Sequence, residues 1–277
     1  MRRHARPFRR PGSVALLLSV AVLAACDLSL VHLAGRATEE WTHTYQLSPG
    51  GAVRIGNTNG RVEVSGVDGP TVEIRAEKVA RAATDDGARE LLPRITIHED
   101  AGTERVVVET ERLSGLMIGA AYEVRYYVKA PKSATLDLST TNGVVSVDNF
   151  TGKVNARSTN GGVRATRLSG AVDARTTNGG VSVEMASVRS ERVSLRTTNG
   201  AVTLTLPDDA RADVSATWTN GGISLSDVKL EVLDRSRRSF EGRMNGGGAP
   251  IELHTTNGGI RLRNRGPNTG NTESTER

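Results

Sequence analysis

The chain has a single cysteine, Cys26, in 277 residues, so no intramolecular disulfide holds this fold together. Aromatic residues are nearly as scarce, with two Trp, four Tyr and three Phe. So few rings leave no platform on which bases or sugars could stack, and the core has to be aliphatic. Long apolar runs are missing too, since the one from Val14 to Ala25 is too short to cross a bilayer as a helix. Metal signatures are absent: His32, His43, His98 and His254 are dispersed, without a His-Glu-x-x-His pair. Gly161-Gly162 and Gly179-Gly180 run into strand-like residues where a calcium-binding roll would continue Gly-x-Asp. Nor is there a Gly-x-Ser-x-Gly nucleophile elbow. No metal, cofactor or catalytic residue is expected, and the chain is not read as an enzyme.

An excess of one charge is missing as well, once the N-terminus is set aside. Arg2, Arg3, Arg6, Arg9 and Arg10 form a basic start, followed by the apolar run and by Leu23-Ala24-Ala25-Cys26. That order reads as an export signal over residues 1–25. Its end resembles a bacterial lipobox, in which the cysteine is lipidated and becomes the mature N-terminus. Cys26 is therefore the expected lipidation site, and the expected location is the periplasmic face of a cell-envelope membrane. Asp27, next in line, favours the inner membrane in bacteria that sort by that position. Without the five arginines, 31 Lys and Arg face 31 Asp and Glu. The basic balance belongs to the signal, and no nucleic-acid partner follows from it.

What the chain has in abundance is one tripeptide. Thr-Asn-Gly occurs seven times, with its asparagines at Asn59, Asn142, Asn160, Asn178, Asn199, Asn220 and Asn257; from Asn142 the steps are 18, 18, 21, 21 and 37 residues. A period near twenty marks a stacked repeat, in which no coil buries its apolar face alone. After each Asn-Gly comes an alternating strand: Val145 and Val147, Val163 and Ala165, Val181 and Val183, Val202 and Leu204 point inward, while Ser146, Arg164, Ser182 and Thr203 point to solvent. A second strand follows, with Val154 and Ala156, Val172 and Ala174, or Val193 and Leu195 inward. Each regular coil is thus two strands and two turns.

Asn-Gly is also the strongest hairpin signal, so an antiparallel meander competes with this reading. The identity of the triplets favours the solenoid, because stacked coils bring them together at about 4.8 Å, where Asn side chains can form a hydrogen-bonded ladder. The expected fold is all-β: a right-handed single-chain β-helix of 18- to 21-residue coils, with an irregular N-terminal strand region and one short helix.

The expected boundaries are a signal at 1–25, an anchor and linker at 26–40, the solenoid at 41–263 and a disordered tail at 264–277. Within the irregular part, Trp41 to Gln46, Ala52 to Ile55 and Arg61 to Arg75 read as strands, and Asp85 to Leu92 as a helix stopped by Pro93. Strands follow at Arg94 to Glu99, Arg105 to Thr110, Tyr122 to Lys129 and Ala134 to Ser139. The 37-residue step holds an insertion, Asp227 to Gly248.

With these residues in view, the chain resembles the toastrack family, also catalogued as adhesins, which are β-helix-like domains of the bacterial envelope. The resemblance spans about Trp41 to Arg263. It rests on Pro49-Gly50-Gly51, on Asn57 to Val64, on the helix-bearing excursion after Arg75, on the serial Thr-Asn-Gly coils and on Asn245-Gly246-Gly247-Gly248 before Ile251. It implies a non-enzymatic interaction, assembly or stress-sensing module at the membrane, and it carries no catalytic residue.

Two surface features stand apart. Arg157, Arg175 and Arg196 occupy equivalent places in consecutive coils, a row that repels itself unless paired or facing an anion. A solvated face with local pairing is the plainer reading, and an anionic envelope glycan the sharper one. Of the nearby acids Asp137, Asp148 and Asp173, only Asp173 is expected at an outward strand position between repeats, with Asn155 as its stack partner, and it can neutralise part of the arginine row diagonally. The other feature is the apolar loop Leu113 to Ala120, which either caps the solenoid's open base or touches the bilayer or a partner protein.

Overall fold

The computed structural model describes residues 33–113 and 119–265. Cys26, the expected signal and residues 266–277 lie outside them. Nineteen strands follow in chain order: β1 Gly35–Gln46, β2 Ala52–Asn59, β3 Val62–Val67, β4 Thr71–Ala82, β5 Ile97–Ala101, β6 Arg105–Thr110, β7 Ala120–Pro131, β8 Thr135–Asn142, β9 Val145–Asp148, β10 Val154–Asn160, β11 Val163–Leu168, β12 Val172–Asn178, β13 Val181–Met185, β14 Val193–Asn199, β15 Val202–Leu206, β16 Ala212–Ser226, β17 Glu231–Arg235, β18 Ser239–Met244 and β19 Ala249–Asn264. The helix α1, Asp85–Leu91, lies between β4 and β5. Thr84 caps it by accepting from the Gly87 amide at 3.2 Å, and Pro93 sits in the 3-10 turn that ends it.

Two parallel stacks make the body. One face runs β6–β2–β8–β10–β12–β14–β19–β16. The other runs β7–β3–β9–β11–β13–β15–β19–β16. Strands β16 and β19 are long enough to pass through the Asn-Gly corner and serve both faces. Parallel pairing excludes the hairpin meander, because a two-residue turn can join only antiparallel strands. Antiparallel strands finish the ends: β5 on β6, β4 and then β1 on β7, and β18 and then β17 beyond β16.

The inward residues are the expected ones. Val163, Ala165, Leu168, Val172 and Ala174 of one coil are buried, as are Val181, Val183, Met185, Val193 and Leu195 of the next. Burying each larger aliphatic side chain contributes about 1.5–3 kcal/mol before chain entropy is counted. Ile223 and Leu225, on the outermost rung, are only half-buried, since no described strand pairs beyond them on that face.

The structure departs from the sequence reading in three places. Strand β1 begins at Gly35, inside the stretch 26–40 expected to be linker. It pairs with β4 along its whole length, through polar contacts such as Lys78 to Glu39 at 2.8 Å that leave no apolar pattern to read. The expected single strand Arg61 to Arg75 is instead β3 and β4, separated by a turn in which Gly69 takes a φ of +101° ahead of Pro70. The third departure is the order of the coils. The coil of Asn257 sits between those of Asn199 and Asn220, so the last coil in sequence is the penultimate one in space.

Candidate functional site

The Thr-Asn-Gly corner fixes the geometry of the exposed face. Each asparagine amide donates to the carbonyl oxygen of the preceding rung: Asn142 to Asn59 at 2.7 Å, Asn160 to Asn142, Asn178 to Asn160 and Asn199 to Asn178 at 2.9 Å, Asn257 to Asn199 and Asn220 to Asn257 at 2.8 Å. All seven predicted residues join one ladder. Beside it the glycines stack so closely that a Cβ on Gly161 would lie 1.9 Å from the Gly143 carbonyl oxygen, and one on Gly200 would lie 2.0 Å from that of Gly179. No other residue fits there.

A third component went unread in the sequence. Two residues before each of five asparagines a buried hydroxyl donates to the glycine carbonyl of the rung behind: Thr140 to Gly60 at 3.0 Å, Ser158 to Gly143 at 2.8 Å, Thr176 to Gly161 at 2.6 Å, Thr197 to Gly179 at 2.8 Å and Thr255 to Gly200 at 2.9 Å. The signal was available as Thr or Ser at that position. At the outermost rung Trp218 replaces it, and the hydroxyl series ends.

The parallel register puts outward residues in rows about 4.8 Å apart. One row is Ser139, Arg157, Arg175, Arg196, His254 and Thr217. The threonine preceding each asparagine forms a second, from Thr58 through Thr141, Thr159, Thr177, Thr198 and Thr256 to Thr219. Between these two rows runs a groove of about 550 Å³, lined by the three arginines, by the threonines and by His254. A smaller recess of about 340 Å³, with Lys153, Asp173 and Arg192 in its lining, flanks the arginines on their other side. A larger one, about 860 Å³, lies at the corner between Asn59, Asn142 and Tyr122. Most of the apolar loop Leu113 to Ala120, residues 114–118, lies outside the described residues. At the two ends of that loop Leu113 and Ala120 pack against the core.

Each arginine of the row holds a carboxylate. Arg157 meets Asp137 at 3.2 Å, Arg175 meets Asp173 through two bonds of 2.7 Å, and Arg196 meets Glu252 at 3.0 Å. Asp137 therefore also faces outward, in one row with Asn155, Asp173, Ser194 and Glu252, which corrects the expectation that Asp173 alone would. Asp173 pairs along its own strand and not diagonally. Glu252 serves Arg192 as well, at 2.6 Å, and the hydrogen bond from Arg192 leads in holding its carboxyl below the usual value. Lys153 has no ion pair among the described residues. Lys153, Arg157, Arg175, Arg192 and Arg196 thus outnumber Asp137, Asp173 and Glu252.

A second cluster sits at the opposite end of the stack, where no spacing rule had flagged it. Trp41 stacks on His43 with centroids 4.3 Å apart, and Glu99 of β5 accepts from Tyr45 at 2.5 Å and lies 2.8 Å from His43 Nδ1. Burial, with Glu99 beside it, raises the pKa of Tyr45. The cluster ties β1 to β5 across the base of the solenoid. Among the described residues no group of three or more His, Cys, Asp or Glu is placed to hold a metal ion.

The family model for Toastrack DUF4097 matches residues 109–263, more than half of the chain. The chain belongs to the toastrack family. Solved structures similar to this toastrack chain include a candidate cell adhesion protein from Clostridium sporogenes, 11% identical with a TM-score of 0.47, the match covering 82% of this chain and 100% of that one. A candidate adhesin from Bacteroides fragilis is also 11% identical, with a TM-score of 0.40 over 82% of this chain and 97% of the other. No curated protein matches the toastrack chain.

Proposed function

We propose that this toastrack chain is a non-enzymatic, adhesin-like interaction module of the cell envelope, exported and held at a membrane by lipid on Cys26. Assembly with, or sensing for, other envelope components would use the grooved face described above. The observation that carries this reading is the groove between the arginine row and the threonine row. It follows the stack axis across consecutive coils and repeats its hydroxyl donors at every rung. Such a surface suits an extended partner better than a small molecule, which needs an enclosed pocket with convergent polar groups.

A second reading has its own observation. Five cations against three carboxylates leave the strip positive, and exposed ion pairs are cheap to exchange for another anion. An anionic envelope glycan lying along the groove would meet a guanidinium at each of three consecutive rungs, Arg157, Arg175 and Arg196, and hydroxyls beside them.

Crosslinking in cells, comparing the wild type with Cys26→Ser, tests the first reading. Capture of a specific membrane protein by the anchored form alone supports it; equal recovery of Cys26→Ser in the membrane fraction defeats the anchor. Retention on isolated anionic envelope glycan at low salt tests the second. Loss of retention in Arg175→Glu supports it, and unchanged retention removes it.

A further inference from the structure

In the outward row of Asp137, Asn155, Asp173, Ser194 and Glu252, only Ser194 is buried, at 5% exposure. Its hydroxyl has no hydrogen-bond partner among the described residues. The carboxylates on either side do not take it up: Arg175 holds Asp173, and Arg192 with Arg196 holds Glu252. Buried hydroxyls are ordinarily paired, and one left without a partner is costly. Along its own strand Ser194 lies between Arg192 and Arg196. All three line the recess of about 340 Å³, together with Lys153, Asp173 and Arg175.

We propose that this recess binds a phosphate monoester group, with the Ser194 hydroxyl donating to one of its oxygens. Charge sets the class of ligand. Lys153, Arg175, Arg192 and Arg196 stand against Asp173 and Glu252, which leaves two positive charges. A phosphate monoester carries about −1.5 to −2 at neutral pH and matches that surplus, where a carboxylate would leave half of it. Donors are at hand as well as charge. Arg192 and Arg196 each bond Glu252 through one terminal nitrogen, so the other N–H groups of both guanidinium forks are left to bond an anion. Lys153, without an ion pair among the described residues, gives up no partner to do the same. At about 340 Å³ the recess is at the small end of ligand sites, so it takes the charged group and leaves the carrier in solvent. Arg175 and Arg196 line both the recess and the threonine groove, but Ser194, Lys153 and Arg192 line the recess alone. This inference does not depend on what occupies the groove.

NMR titration of the full chain in detergent with inorganic phosphate and with glucose 6-phosphate reads the site directly, through the backbone amide of residue 194 and the arginine Nε signals. Both probes should bind saturably. Tighter binding of glucose 6-phosphate assigns the recess to an ester on a larger carrier, and tighter binding of phosphate assigns it to the free ion. Ser194→Ala should weaken binding about tenfold, the worth of a hydrogen bond to a charged group. Its melting temperature without phosphate should not fall, because the hydroxyl removed has no partner in the protein. Lys153→Gln should weaken binding about threefold, as expected of an exposed charge. Arg164→Gln removes a charge from the other face and should leave binding unchanged. Thermal unfolding of each variant separates loss of the site from loss of fold. A wild type that binds neither probe, an affinity unchanged in Ser194→Ala and Lys153→Gln, or an equal loss in Arg164→Gln would each overturn the proposal.

Discussion

The side-chain amide of Asn257 donates to Asn199 at 2.8 Å across 58 positions of sequence, while Asn220, which lies between them in the chain, bonds to the far side of Asn257. The last coil is therefore inserted between two that precede it. Ending the chain at Gly248 should not trim the solenoid but remove an interior rung, exposing the edges of β14, β15 and β16 together. The expected outcome is loss of a single cooperative unfolding transition and fast hydrogen exchange in β14, β15 and β16, with β8 to β12 still protected. Protection retained in β16 would show that it can dock on β14 without β19.

The corner glycines are not equivalent to the glycines beside them. Gly161 has a φ of +155°, and its added Cβ would lie 1.9 Å from backbone; Gly162, one residue on, meets its nearest atom at 3.1 Å. Gly161→Ala should cost about 2–4 kcal/mol, through forced separation of two rungs. Gly162→Ala should cost less than about 1 kcal/mol. Denaturant titration of the two variants measures the difference.

That contrast also explains why so much of this fold was legible. The Asn-Gly corner tolerates one residue type at each of two positions, and the strands beside it alternate cleanly. Period, inward residues and ladder therefore show plainly in the residues. The coil order did not show, because a 37-residue step announces an insertion without saying on which side the returning strand docks. The first half of β1, Gly35 to Glu40, was hidden because its cross-strand partners, such as Glu39 with Lys78, are polar. The base cluster of Trp41, His43, Tyr45 and Glu99 escaped for a different reason: its members come from β1 and β5, which only the folded chain brings together. The arginine row was found by position, but its carboxylates Asp137 and Glu252 needed the register.

The hydroxyl series yields a paired test. Thr176 is buried and donates to Gly161 at 2.6 Å, whereas its neighbour Thr177 is exposed in the outward row. Thr176→Val keeps the shape but leaves a buried carbonyl without its hydroxyl partner, and should cost about 1–2 kcal/mol. Thr176→Ser should recover most of that, and Thr177→Val should change stability by less than about 0.5 kcal/mol. Equal effects at the two positions would mean that the buried hydroxyls do not hold the corner.

Acid should act on the grooved face through Glu252. The hydrogen bonds from Arg192 and Arg196 keep its carboxyl below the usual value in the folded state, and Arg125 does the same for Glu123. A depressed folded value means stability that is present above the unfolded carboxylate value, about 4.3, and lost as pH falls through the lower folded one. Because more than a third of the Glu252 side chain is exposed, solvent screening holds its share below about 1 kcal/mol. The melting temperature should therefore decline only in acid, and Glu252→Gln should flatten that decline while lowering neutral stability slightly. The same protonation frees Arg192 and Arg196 from their shared carboxylate. Retention on dextran sulfate, whose sulfate esters remain ionised, should then rise as pH falls through that range. In Glu252→Gln it should be high at neutral pH and flat in acid. A variant that keeps the wild-type pH profile would show that these two arginines do not face the polyanion.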